Sequence, residues 1–267
     1  MVVQGAYATT TVGQLLARID HDLLALARDL IPLSPTATPS FLANPDDPAE
    51  HKPEWHQFGI ITHTRHLVAA LPEEVPMALR AIDPAIAGRV DDYLSGAIDG
   101  LSRRDLTLVA GYWHDLGKFT SRTLGRRGDW RFRGHAHESA RLITGERDDF
   151  ADGIGVRYGL SRAQTAYVTR LADLHYAPME LKLALRPAAA GAPADDPTDD
   201  AALYRTIAER LGAEGYAVCG IFWADCLAKG ATPRQLAERP ALWGVLEQTL
   251  RAIDQARNAE RGARNGH

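Results

Sequence analysis

The sequence predicts an all-α protein. Apolar residues recur at helical spacing along most of the chain, and no stretch alternates apolar with polar residues for more than about four positions. Helix-start signals stand ahead of the apolar runs.

Taken in order, Thr11 and Gln14 form a Thr-x-x-Gln capping box before Leu15, Leu16, Ile19, Leu23, Leu26 and Leu30, which predicts a helix over 11–30. Residues 31–54 contain Pro32, Pro35, Pro39, Pro45, Pro48 and Pro53, too many for a helix or a central strand, so this stretch is expected to be irregular. Ser102 and Asp105 repeat the box with a shorter acid, ahead of Leu106, Val109, Ala110 and Trp113, and predict a helix over 103–116. Ser161 and Gln164 precede Val168, Leu171 and Leu174. Residues 187–200 are rich in Ala, Pro and Asp and predict a loop. Tyr216 to Lys229 form an apolar helix. Thr232, Pro233 and Gln235 then open another, with Leu236, Leu242, Val245, Leu246 and Leu250 on its apolar face. The last dozen residues are polar and are expected to fray. The organisation expected is an N-terminal helix and Pro-rich loop over 1–52, packed on a main helical domain over 53–255. Residues 187–200 form an excursion from that domain and 256–267 a polar tail.

Composition narrows the class. The chain has 267 residues, 45% hydrophobic and 24% charged, with a formal net charge of −4. This excludes collagen-like, disordered and disulfide-scaffold classes. The mild acidic balance argues against nucleic acid as the main partner, although a local basic patch is compatible with it. No run of about 18 apolar residues occurs, and the first residues lack a basic, apolar secretion signal, so a cytoplasmic protein without membrane partners is expected. Cys219 and Cys226 lie about two helical turns apart, ~10 Å along the axis, too far for a disulfide. The chain has only four lysines, Lys52, Lys118, Lys182 and Lys229, among 30 Lys and Arg residues, so where each falls is informative.

The histidines carry the chemistry. Six of ten fall in four clusters: His63 with His66, His114, His135 with His137, and His175. His114 and Asp115 end an apolar helix. Neighbouring helical residues point ~100° apart, close to the angle between adjacent ligands of an octahedral ion. Gly117 would then permit a left-handed turn that ends the helix, with Lys118 starting the next segment. Asp225 lies in an apolar helix, where an unpaired carboxylate is costly and either a metal or an arginine would satisfy it.

These residues, in the order His63, His114-Asp115, Asp225, resemble the H…HD…D signature of HD-domain metal-dependent phosphohydrolases. Pro53, Trp55, His56, Gly59, Thr62, His63 and Thr64 resemble the opening segment of the HD domain attached to bacterial CCA-adding tRNA nucleotidyltransferases. His114 to Lys118 matches HDxGK, and Gly134, His135 and Ser139 resemble that family's G-H-x-x-x-S segment. The likeness covers roughly 53–229. One departure is Gln57-Phe58, where the family carries Pro-Glu. No nucleotidyltransferase segment stands upstream, so CCA addition is not implied.

The resemblance implies an HD-domain helical bundle with an N-terminal helical extension. It implies that His63, His114, Asp115 and Asp225 hold one divalent ion, and that His135 and His175 complete a second site with Asp115 as bridge. Mixed imidazole and carboxylate ligation suits Mn, Fe, Co, Ni or Zn, with Mg admitted, at one or two ions per chain. Hydroxide generated at the metal would attack a phosphomonoester or phosphodiester of a nucleotide or small molecule. Lys118 would neutralise the phosphate, with Asp115, Glu138 or Asp173 as groups that orient water or move protons. His66 and His137 are candidates for ligand, support or substrate contact. Arg131 and Arg133, with Arg126 and Arg127, form a basic loop suited to phosphate. His21, His51, His56 and His267 read as structural or surface residues. Two other functions compete: an HD-type mixed-valent di-iron oxygenase, and a nucleotide- or RNA-binding module with a structural metal.

Overall fold

In a computed structural model, residues 11–184 and 200–265 are described. The excursion expected at 187–200 lies, apart from Asp200, outside the described residues, as do the first ten residues and His267. The expected all-α class holds. The α-helices are α1 (Val12–Leu30), α2 (Pro39–Ala43), α3 (Ile60–Ile82), α4 (Pro84–Ser95), α5 (Arg103–Trp113), α6 (Gly117–Ser121), α7 (His135–Thr144), α8 (Ile154–Arg157), α9 (Arg162–Leu174), α10 (Ala177–Ala184), α11 (Asp200–Leu211), α12 (Gly215–Ala228) and α13 (Pro233–Asn265). Strands are confined, among the described residues, to two antiparallel hairpins. These pair β1 (Ala97–Ile98) with β2 (Leu101–Ser102) and β3 (Thr123–Leu124) with β4 (Trp130–Arg131).

The helix starts fall where the sequence puts them. Thr11, Ser102 and Ser161 each accept from the backbone three residues on, and Gln14, Asp105 and Gln164 each reach back to close a full capping box. At α13, Thr232 accepts from the Gln235 backbone, but the Gln235 side chain reaches instead to the Cys226 carbonyl and ties α13 to the end of α12.

α12 is apolar all round and is buried on all sides. It lies along α3 and α13, while α9 packs on α5 and α7. Cys219 and Cys226 are buried free thiols on α12. α1 covers α5 and α3 from outside through Leu15, Ile19, Leu23, Leu26, Ala27 and Leu30.

Residues 31–59 form a strap over one end of this bundle. It is largely irregular, as its prolines predict, but three of them open short helical turns: Pro32 in Ile31–Leu33, Pro39 in α2 and Pro48 in Pro48–Glu50. At a first turn the missing proline N–H costs nothing. The strap is bolted down by polar contacts. Glu50 forms an ion pair with fully buried Arg122, whose guanidinium lies over the Trp130 and Phe41 rings. Thr36 donates to the Arg122 carbonyl at 2.5 Å. Asp46 accepts from both the backbone and the hydroxyl of Thr62, so it caps α3 in place of Gly59, which has no side chain to do so. A Cβ at Gly59 would collide with the Asp46 backbone.

The tail departs from expectation. α13 continues past residue 255 to Asn265 instead of fraying. Arg257 stacks over Tyr93 and Tyr216 and donates to the Ala213 carbonyl, tertiary contacts that hold the start of a stretch without large apolar residues, and Asn258 donates to Asp254 one turn earlier in the same helix.

Candidate metal centre

Five helices bring six side chains to one point. His63 stands in the first turns of α3 and Asp225 in the later part of α12. His114 is the C-cap of α5 and Asp115 follows it; His135 opens α7 and His175 is the C-cap of α9. Two groups result, His63 with His114, Asp115 and Asp225, and Asp115 with His135 and His175. Within each, the ligating atoms lie within 4.8 Å of one another. Asp115 belongs to both and offers each a different oxygen. Oδ2 lies 3.1 Å from His114 Nε2 and 3.5 Å from His63 Nε2, and Oδ1 lies 3.3 Å from His135 Nε2 and 3.8 Å from His175 Nε2.

Local structure sets the ring orientation. In His114, His135 and His175, Nδ1 lies 2.7–2.8 Å from the carbonyl three residues earlier, of Gly111, Phe132 and Ala172 respectively. Carbonyl oxygen only accepts, so Nδ1 carries the proton and Nε2 presents its lone pair to the cluster. At the ends of α5 and α9 the same bond satisfies a last-turn carbonyl. His135 Nε2 and His175 Nε2 then face each other at 3.2 Å as two acceptors. Burial pushes His135 down to about 4 and His175 down to about 3, so both are neutral near pH 7.

Burial by itself would raise Asp115, but His114, Lys118 and His63 outweigh it and hold the carboxyl well below its usual range. Asp225 is likewise held low against burial, by Lys229 and His63. Neither Asp115 oxygen, nor His63 Nε2 or Nδ1, nor His114 Nε2 finds a regular hydrogen-bond partner among the described residues. Apart from the lysine ammonium groups beside Asp115 and Asp225, the buried imidazole and carboxylate atoms that converge here lack donors, and such a set fits a divalent cation. The cluster is therefore a buried His/Asp site able to hold a metal.

Glycine and serine brace it. Ser139 accepts from the Gly117 N–H at 2.8 Å and donates to the His114 carbonyl at 2.7 Å, locking α7 to the turn that carries Asp115. Gly117 does not adopt the left-handed conformation expected from the sequence. It begins α6, and its lack of a side chain instead lets the backbone of His135 and Ser139 approach.

Lysines border the cluster. Lys118 Nζ lies 2.7 Å from Asp115 Oδ2, and Lys229 Nζ lies 2.6 Å from Asp225 Oδ2. Lys52 is half-buried beside Lys118, while Lys182 pairs with Glu238.

The remaining sequence candidates scatter. Both Glu138 oxygens are taken, by Arg141 and Arg147 at 2.9 Å each, so this carboxylate is committed to ion pairs and stands outside the cluster. His66 is exposed and stacks on Phe58; His137 is exposed, 3.5 Å from Asp173. Arg131 is held by Asp129 at 3.1 Å, and Arg126, Arg127 and Arg133 are exposed.

Two residues read from sequence as structural or surface lie at the centre instead. His51 and His56 are buried with ring centroids 3.8 Å apart, and His56 meets His63 edge-on at 4.9 Å. His51 Nδ1 lies 3.1 Å from the Phe58 carbonyl, so it donates there and Nε2 accepts from Lys118 Nζ at 3.0 Å. Burial, then the Lys118 charge, keeps His51 neutral. Neither residue lies in a helical pattern that could have marked it; the signals were that His56 belongs to the Pro53–Thr64 segment that carries the resemblance and that His51 stands just before it. Tyr176, beside His175 and half-buried, borders the other histidine group with its ring 5.5 Å from His135.

No helix among the described residues is long and apolar enough to cross a membrane. In comparisons with known proteins, no family model matches the chain and no curated protein matches it.

Proposed function

We propose that the protein is a divalent-metal-dependent phosphohydrolase of the HD type, acting on a phosphoester of a nucleotide or small molecule. The observation that carries this reading is Asp115, buried, with one oxygen toward each of two histidine groups and the Lys118 ammonium 2.7 Å from Oδ2. The order and spacing of these residues resemble the HD signature, which adds to it.

Mn, Fe, Co, Ni or Zn suits this donor set, with one or two ions. A divalent ion held there supplies Lewis-acid activation of water and of a phosphoryl oxygen. The chain supplies the rest. His114, His135 and His175 turn Nε2 toward the site because their backbone bonds hold the proton on Nδ1. Lys118 presents a fixed positive charge where negative charge builds on a phosphoryl group, an effect worth about 10²–10³ in rate when one such donor is removed. Lys229 holds Asp225 ionised and oriented. With Lys52 nearby, this charge balance favours an anionic substrate. An apolar groove of about 320 Å³ between α3, α4 and α5 contains none of these residues.

The test is phosphate release from a panel of nucleotides and simple phosphoesters, using metal-stripped protein resupplied with Mn, Co, Ni, Zn, Mg or Fe. Metal-dependent release is expected, with Lys118→Ala retaining metal and losing about 10²–10³ in rate. Release that survives metal removal would refute the reading. The shared Asp115 also favours a second one, a di-iron oxygenase; bound iron with turnover that needs dioxygen and releases no phosphate would select it.

A further inference from the structure

The geometry points to a second anion subsite built around Lys52, which takes a further phosphate of the substrate while the reacting phosphoryl group sits at Lys118. The inference rests on the proposed function and goes further, to a diphosphate-type substrate.

Lys52 lies on the strap, next in sequence to the His51 that contacts Lys118. Both ammonium groups border the Phe132 ring, each 5.9 Å from its centroid. The same Phe132 gives its carbonyl to ligand His135, and its ring meets His51 edge-on at 5.7 Å, so the ring beside the lysines is fixed to the metal centre.

Exposure rises along this line. Lys118 and Phe132 are buried, and Lys52 is half-buried. Beyond it, Arg131 is already neutralised by Asp129.

The Lys52 carbonyl accepts from the Trp55 and His56 N–H groups, but its ammonium has no hydrogen bond or ion pair with any described residue; Glu54 and Asp129 attract it only at longer range, and Lys118 and Arg131 repel it. The other two lysines of the centre each hold a carboxylate, at 2.7 and 2.6 Å. A half-buried ammonium without a counter-ion, set against a like charge, loses hydration without recovering it from the protein. An anion spanning Lys52 and Lys118 would relieve both effects, and a diphosphate offers charge at two linked centres.

The experiment compares inorganic phosphate with inorganic pyrophosphate, binding to metal-loaded protein by calorimetry with free metal in excess. Pyrophosphate is expected to bind more tightly than phosphate. In Lys52→Met that advantage should shrink by about tenfold, with metal content unchanged and phosphate affinity reduced by less than pyrophosphate affinity. Lys52→Arg should restore it, separating charge from shape. If wild type binds phosphate but shows no preference for pyrophosphate, or Lys52→Met keeps the preference, the subsite is refuted and the phosphohydrolase reading stands. If neither anion binds the metal-loaded protein, both fall.

Discussion

Two stretches of chain meet at Asp115, and they are held there by different means. In the helical cradle, His114 and His175 sit at helix ends whose starts are fixed by capping boxes at Ser102 and Ser161, and the turns between them follow from helical geometry. In the strap, His51, Lys52 and His56 belong to no long helix. Their positions depend on Glu50 with Arg122, Asp46 with Thr62, and Gln57, whose N–H donates to the Lys229 carbonyl and whose side chain accepts from the Ala231 N–H. A ligand on a capped helix is placed by local sequence. A side chain on a strap is placed by partners tens of residues away, and it is only as firmly held as those partners.

The sharpest way to break the cradle is Asp115→Ala. It removes the carboxylate common to both groups, so bound metal should drop to background in metal analysis, with the helical content by circular dichroism retained. Retention of stoichiometric metal would show that the two groups do not share Asp115. Breaking the strap should instead cost stability. Glu50→Ala leaves Arg122 buried without its counter-charge, a loss of about 3–5 kcal/mol in denaturant unfolding. A loss below about 1 kcal/mol would mean the strap is not anchored there.

His51→Leu tests whether the strap reaches the chemistry. Removing the acceptor for Lys118 is expected to lower turnover about tenfold, as loss of a supporting partner commonly does, with metal content unchanged. Unchanged turnover would limit His51 to packing.

Acid should separate the two metal groups, the smallest of these effects. Burial lowers His63, but Asp115 and Asp225 together raise it above the ordinary histidine value, so protons compete for it from near neutrality downward. His135 and His175, pushed down to about 4 and about 3, stay unprotonated until lower pH. Protonated imidazole cannot ligate, so the His63 group should release its metal first as pH falls from 7 to 4. Metal-to-protein ratios across that range would check it, and simultaneous release would contradict it.

The all-α class, the three capping boxes and the helices they start were legible in the sequence because helical period and capping are local properties. So were the six cluster residues, once their order was matched to the HD pattern. Glu138 illustrates the limit. It was a candidate to orient water or move a proton, yet Arg141 and Arg147 claim both its oxygens, and only the folded chain brings Arg147 to it. The histidine tautomers, the division of Asp115 between two groups, and the inward turn of His51 and His56 were likewise decided by tertiary structure. Sequence specifies which side chains a helix carries and where it begins. Which carbonyl, lysine or carboxylate faces them depends on how separate helices and an irregular strap close on one another, and that is settled by contacts between residues remote in the chain.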